Sequence, residues 1–570
     1  MRNEGMEMEN EGMNLQCPQS TIHPFSNPSF PDFHSLIPSF PHSPFRMIQF
    51  VSSHVIRARP PRGVASHLEP DRDPDRLRSY LEDAAHVPGG HAAGIIFPRS
   101  EADVAAVLGA GHPVLPIGVQ SSLTGGATPM GELLLSTARL DDIDAARDRA
   151  IVGPGVTLAD LDAALRPLDA WYPPVPTFTG ATVGGVVSTN AAGAATFKYG
   201  TTRPWVQALT VVLATGDVLD LRRGSVHAHP DGYFEIELRT GTVRVQVPDY
   251  RLPCVPKVSA GYYAAPGMDL IDLFIGAEGT LGIITSVTVK TASPRPAIAL
   301  ALVSCTARRT GLRLASALRN APGVAAIEHL DRKSLELLRE DHTDVDYHVT
   351  LPLDTDLVLI VTLELAERDN RRSFEEIAEA LDSTVAGTPL VELCRILSRE
   401  HLLDRTEIAL PEDETRQAEF IALREAVPAA VNRRIARAQQ TVDPRIAKVA
   451  ADVIVPYDRL ADLLELCQAE FDHRGLTGAV WGHISDGNLH PNVVPRSFED
   501  YVAGTQAALT IGRAAIDWGG SPCAEHGVGR HAVKLQLVRD LYGDRGVAAM
   551  RRIKDALDPQ RRLAPGVLGL

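Results

Sequence analysis

Three histidines and two acidic residues fall in two short segments near the C-terminus. Trp481-Gly-His483-Ile-Ser485-Asp486-Gly487-Asn488-Leu-His490 places an Asp-Gly pair between two short runs, and Asp-Gly is favoured in two-residue hairpin turns. With Asp486 and Gly487 at the tip, Ser485 faces Asn488 and His483 faces His490. Opposed residues share a face with Cβ atoms about 4.5–5.5 Å apart. Two imidazoles at that separation can chelate one metal ion, although the pattern also suits a polar hairpin with two exposed histidines. Downstream, Ala524-Glu525-His526-Gly527-Val528-Gly529 adds a carboxylate and a third imidazole. Neighbours in an extended segment point to opposite sides, so Glu525 can complete a two-histidine, one-carboxylate set while His526 faces another part of the cavity. Such a set leaves positions open for substrate oxygens.

Three glycine-rich segments imply a phosphate-bearing cofactor. The first, Pro116 to Pro129, holds Gly118, Gly125 and Gly126 with Ser121, Ser122 and Thr124. Successive N–H groups can converge there on an anion, because glycine tolerates positive φ and has no Cβ to keep a diphosphate away; a plain surface loop is the alternative. The second runs from Thr179 to Gly193 and the third from Gly276 to Gly282. Neither a GxGxxG fingerprint nor a GxxxxGK[ST] loop occurs, which argues against a Rossmann NAD site and a P-loop ATPase.

These groups need a large scaffold, and 570 residues with 44% hydrophobic and 22% charged composition supply one. No run approaches 18 uninterrupted apolar residues, so no transmembrane helix is expected. The net charge of −15 opposes attraction to nucleic acid or anionic lipid, so any phosphate must be held locally. Cys17, Cys254, Cys305, Cys394, Cys467 and Cys523 form no CxxC pair and read as buried thiols in a reducing, cytoplasmic setting. Residues 18–45 are rich in proline without periodicity, and residues 1–60 read as a disordered extension. Met47 or a nearby codon is the expected start. Arg57, Arg59 and Arg62 with no acid before Glu69 have some transit-peptide character. Beyond it, Ser100 with Asp103 and Thr157 with Asp160 cap expected helices. Val114 to Ile117 and Ile283 to Val289 read as strands. A strongly apolar strand from Leu357 to Val361, a helix capped from Ser373 and a helix after Tyr457 mark a second domain of sheet plus helices.

The order and wording of the glycine segments resemble the FAD-linked oxidases of the vanillyl-alcohol oxidase and p-cresol methylhydroxylase superfamily. The match spans roughly residues 90 to 570. It implies an α+β chain. A FAD-binding PCMH-type domain occupies 61–297 and an antiparallel-sheet-plus-helices substrate (cap) domain 298–520. A C-terminal helical segment, 521–570, returns to the FAD domain. In this family the first loop holds the pyrophosphate, here Ile117, Gly118, Val119, Gln120, Ser121, Ser122, Leu123, Thr124, Gly125 and Gly126. The second passes the isoalloxazine and adenosine, here Thr179, Gly180, Ala181, Thr182, Gly184, Gly185, Ser188, Thr189, Asn190 and Ala191. The third lies near adenine and ribose, here Glu278, Gly279, Gly282, Ile283 and Ile284. Gln120 stands where relatives often carry a small residue. No attachment histidine occurs in residues 117–129, so the FAD is expected to be non-covalent.

The two histidine segments resemble GHxGDGNLH and AEHGxG of the D-2-hydroxyacid dehydrogenase branch, with Ser485 replacing a glycine. This implies that His483, His490 and Glu525 ligate one divalent metal, Zn, Mn or Fe, and that His526 is the general base. Leu423-Arg424-Glu425-Ala-Val-Pro428 resembles LREGxP, whose arginine clamps the substrate carboxylate with a planar, permanently charged fork. Relatives with a 2-hydroxyglutarate preference often have a lysine two residues before the aspartate matching Asp452; Ala450 stands there, with Lys448 earlier. Leu563-Ala-Pro-Gly566 resembles a closing NPG element. The expected activity is oxidation of a D-lactate-like 2-hydroxy acid to the 2-oxo acid, with a cytochrome, quinone or electron-transfer flavoprotein as acceptor. An O₂-using oxidase is the alternative. A metal-dependent hydrolase would leave the glycine segments without a task.

Overall fold

Two of the expected caps open their helices. Ser100 accepts a hydrogen bond from the Asp103 N–H and starts Glu101–Gly109, and Thr157 does the same through Asp160 for Leu158–Leu165. Each satisfies a first-turn N–H that has no partner within the helix. The third cap differs. Asp369, not Ser373, accepts from the N–H groups of Arg371 and Arg372, and the helix begins earlier, at Asn370. Ser373 lies within its first turns, its hydroxyl donating to the Asp369 carbonyl.

The computed structural model describes residues 53–366, 368–379 and 387–570. Its N-terminal half contains a small parallel sheet of Gly94–Ile96, Leu133–Ser136 and Val114–Ile117. Beside it lies a five-stranded antiparallel sheet in the order Ile143–Ala145, Arg149–Val152, Ile283–Lys290, Val206–Val212, Val218–Arg222. The proline-rich segment 18–45, Met47 and Cys17 lie outside the described residues. Folded structure nevertheless starts earlier than residue 61. Val55–Arg57 pairs in parallel with Tyr233–Leu238, and Arg59 makes ion pairs of 2.6 Å to both Glu101 and Asp220. Arg57 and Arg59 thus serve the fold: Arg57 also pairs with Glu237. Cys254 is exposed, unlike the buried Cys305, Cys394, Cys467 and Cys523.

The second half is built on one antiparallel sheet. Its order is Thr406–Ala409, Ala297–Cys305, Leu357–Leu365, Val324–Asp331, Gly478–His483, Asn488–Val493, Val449–Ala450, with Val453–Ile454 also pairing to Asn488–Val493. Alternate residues feed different cores. Leu357, Leu359 and Val361 join one cluster, while Val358 and Ile360 join another under the helices Arg332–Glu340 and Glu414–Thr441. Burial on both faces explains why this strand is continuously apolar. Residues Val528, Val538, Met550, Ile553, Leu557 and Val567 from the C-terminal stretch enter the core of the first half. No helix among the described residues is long and apolar enough to cross a membrane.

Candidate active site

His483 ends one strand of the hairpin and His490 lies inside the other. The turn is longer than expected. His483 pairs with Asn488 and Trp481 with His490, leaving Ile484 to Gly487 as a four-residue connection. The pair is therefore diagonal, yet still on one sheet face, and the two rings stand edge to face with centroids 5.4 Å apart. Asp486 cannot occupy an exposed tip because its carboxylate is drawn inward to Lys257 Nζ at 2.9 Å.

Glu525 Oε1 is the meeting point. It lies 3.1 Å from His483 Nε2, 3.3 Å from His490 Nε2 and 3.5 Å from His526 Nε2. Donor atoms of Asp452, His490, Glu525 and His526 all fall within 4.8 Å of one another, and His483 joins them through Glu525. His490 Nδ1 is buried without a hydrogen-bond partner. Burial lowers the His490 pKa to about 4, which leaves one of its ring nitrogens unprotonated near neutral pH. Burial opposes a charge on His483 too, but the Glu328 carboxylate against Nδ1 outweighs it and raises the pKa to about 9. Imidazole nitrogens and carboxylate oxygens converging this closely fit a divalent transition metal. His526 stacks on His490 at 5.0 Å and is 28% exposed, whereas the other side chains of the set are at most 6% exposed, so His526 is the one placed to meet a ligand entering from solvent.

Three residues complete the cluster that no local pattern announced. Lys257 is fully buried, its ammonium 3.1 Å from Glu525 Oε2 and 2.9 Å from Asp486. Burial works against its charge, but the two carboxylates raise its pKa. Removing one partner of such a buried set typically costs about 3–5 kcal/mol. Asp452, a landmark in the sequence, accepts from the backbone N–H groups of Glu525 and His526 at 3.0 and 2.9 Å. Burial opposes its ionisation, and His526, Lys534 and His490 hold it well below the usual range nonetheless. Glu328 links His483 to Arg424, accepting from Arg424 Nε at 2.9 Å. Asp452 and Glu328 each interrupt a buried apolar run. A lone acid there must be paired, which was the available signal.

The glycine segments meet nearby. A Cβ on Gly118 would lie 2.3 Å from Thr182 Oγ1, and one on Gly279 would lie 2.6 Å from Pro116. The Glu278 N–H donates to the Ser188 carbonyl. Among the described residues, the N–H groups of Val119 to Leu123, Gly125 and Gly126 donate to no protein acceptor. That row of free donors, beside a cleft of about 590 Å³ lined by Gly118, Val119, Gly155 and Thr182, fits a diphosphate. Gln120 adopts φ +54° and draws its side chain back to the carbonyls of Tyr80 and Ala127, which keeps it off the loop's open side. Not every expected residue faces the cleft. Ile283 and Ile284 are buried in the cores, and Gly282 makes room for Val211. Glu278 instead accepts from the Val528 and Gly529 N–H groups at 2.8 Å each, and burial raises its pKa to about 7. Thr182 caps Val183–Thr189, while Asn190 closes that helix in the left-handed region and accepts from the Arg203 N–H.

Residues 92–222 match the family model described as FAD binding domain, and residues 295–568 match FAD linked oxidases, C-terminal domain. The chain belongs to the FAD-linked oxidases. Among curated relatives of this FAD-linked oxidase is the glycolate oxidase subunit GlcD of Bacillus subtilis, 28% identical over 83% of this chain and 88% of that protein. A probable mitochondrial D-lactate dehydrogenase of Danio rerio is 27% identical, covering 83% of each chain. A D-2-hydroxyglutarate dehydrogenase of Xanthomonas citri pv. viticola is 28% identical over 87% of this chain and 93% of that one. The fold is shared with 4-ethylphenol oxidase from Gulosibacter chungangensis, at TM-score 0.57 and 16% identity, covering 90% of this chain and 99% of the other. The chain is thus an FAD-linked oxidoreductase of the vanillyl-alcohol oxidase and p-cresol methylhydroxylase superfamily.

Proposed function

We propose that this oxidoreductase removes hydride from C2 of a D-2-hydroxy acid, D-lactate-like in size, and releases the 2-oxo acid. The observation that carries this reading is the convergence of three imidazoles on Glu525 Oε1 one hydrogen-bonded step, through Glu328, from the buried guanidinium of Arg424. Relatives named for lactate, glycolate and 2-hydroxyglutarate support the substrate class. When bound, FAD accepts the hydride and a divalent metal lowers the pKa of the substrate hydroxyl.

The protein's own groups do the rest. Arg424 holds the substrate carboxylate, His526 takes the hydroxyl proton, and His483, His490 and Glu525 hold the metal. Asp452 fixes the backbone at Glu525 and His526. The free N–H groups from Val119 to Gly126 hold a non-covalent FAD through its diphosphate. The test is anaerobic flavin bleaching across a panel of D- and L-2-hydroxy acids. Bleaching by D-lactate and its near relatives is expected, with FAD released on acid precipitation; a flavin unmoved by any 2-hydroxy acid would sink the reading.

A further inference from the structure

We propose that Glu328 is a positioning residue that joins the substrate-carboxylate clamp to the metal ligands, so that both are set by one side chain. The proposal rests on the functional reading above. Glu328 lies in the central strand Val324–Asp331, directly opposite His483 in the ladder, and is buried. Its two oxygens are divided between two partners. Oε1 accepts from His483 Nδ1 at 2.6 Å, and Oε2 accepts from Arg424 Nε at 2.9 Å.

Each bond has a directional consequence. An imidazole that keeps its Nδ1–H on a carboxylate would present Nε2 to a metal once the Nε2 proton is displaced, and Nε2 is the atom of His483 turned toward Glu525. The guanidinium tied at Nε keeps both Nη groups free of protein acceptors among the described residues. That leaves the end-on edge of the fork, whose two parallel N–H groups suit a carboxylate. A carboxylate serving only to neutralise Arg424 would meet the fork with both oxygens; here one oxygen is given to the histidine instead.

The test uses the FAD-loaded protein and two probes, Zn²⁺ by chelator competition and oxalate by flavin absorbance at saturating Zn²⁺. Glu328→Gln can satisfy only one partner as an acceptor, so Zn²⁺ affinity should fall roughly 10- to 100-fold, the usual cost of losing a ligand's supporting carboxylate, and oxalate binding should weaken in the same variant. Glu328→Asp keeps the charge but withdraws it by one methylene and should share both losses. Arg424→Lys should weaken oxalate binding alone. Glu328→Gln/Arg424→Met removes the unpaired buried cation, guarding against simple misfolding, and should bind Zn²⁺ as weakly as the single Gln variant. Normal Zn²⁺ affinity in either Gln-bearing variant, or full recovery in Glu328→Asp, overturns the proposal. Wild-type protein that takes up no Zn²⁺ overturns the functional reading, and this inference with it.

Discussion

Glu525 and His526 are sequence neighbours to which the proposed function gives separable duties, and substitution distinguishes them. Glu525 is held from below by Lys257 and from above by the histidines. Glu525→Gln retains an oxygen but loses the charge, so it should lower metal occupancy, and added metal should restore part of the activity. His526→Ala should keep metal and FAD yet slow flavin reduction roughly 10²- to 10⁴-fold, the range for a positioned proton acceptor. Stopped-flow reduction with metal analysis reads both. Loss of metal in His526→Ala together with full occupancy in Glu525→Gln would reverse the two assignments, a result that Asp452, His490 and His526 as a ligand group would explain.

At the scale of elements, two short stretches transmit position over long distances. The 524–531 segment is pinned to the first and third glycine segments, since Glu278 accepts from the Val528 and Gly529 N–H groups and the Arg530 N–H donates to the Thr124 carbonyl. Gly529 has φ +56°, and a Cβ there would lie 2.3 Å from Thr124 Oγ1 and 2.5 Å from its carbonyl oxygen. Gly529→Ala should therefore push the first glycine loop away and weaken FAD binding about tenfold or more, given strain of about 1–3 kcal/mol; flavin fluorescence on dilution measures it. Asp331 caps the helix Arg332–Glu340 and also accepts from the Val480 N–H of the hairpin. Burial raises its pKa to about 6. Its contribution to stability is thus fully present below the unfolded value near 4 and is lost as pH rises through about 6. Asp331→Asn keeps a capping oxygen while removing the charge, so the fall in stability across that window should flatten by up to about 3 kcal/mol. The Val480 bond is lost at every pH and shifts the curve without tilting it. Denaturant unfolding at pH 4, 6 and 8 checks the slope.

For the whole molecule, the two halves share one centre because the C-terminal stretch crosses back. Lys554, buried in the first half, donates to the Thr280 carbonyl of the third glycine segment and to the Leu563 carbonyl, and pairs with Asp558. The other end of the chain is used as well, through Val55–Arg57 and the Arg59 pairs. Deleting residues 1–46 should leave the melting temperature unchanged. Deleting residues 1–62 should lower it, because a strand and a two-carboxylate ion-pair network go with it. Differential scanning fluorimetry separates the two; equal melting temperatures would mean that the strand contributes nothing.

What the sequence determined by itself is what short-range physics decides. Ser100 and Thr157 cap helices because a hydroxyl reaches an N–H three residues on, and the first glycine loop has free donors because its small residues leave them bare. The histidine segments were legible as candidate ligands for a related reason: within each segment the donors lie no more than seven residues apart. The hairpin register was not, since its turn length is decided by Asp486 turning inward to Lys257, more than two hundred residues away. Lys257 and Glu525 are 268 positions apart, and Glu328 and His483 are 155 apart. No local period encodes such pairs. Only the folded sheet, and the return of the C-terminal stretch onto the glycine segments, excludes water from those charges, and burial then forces each to find its opposite.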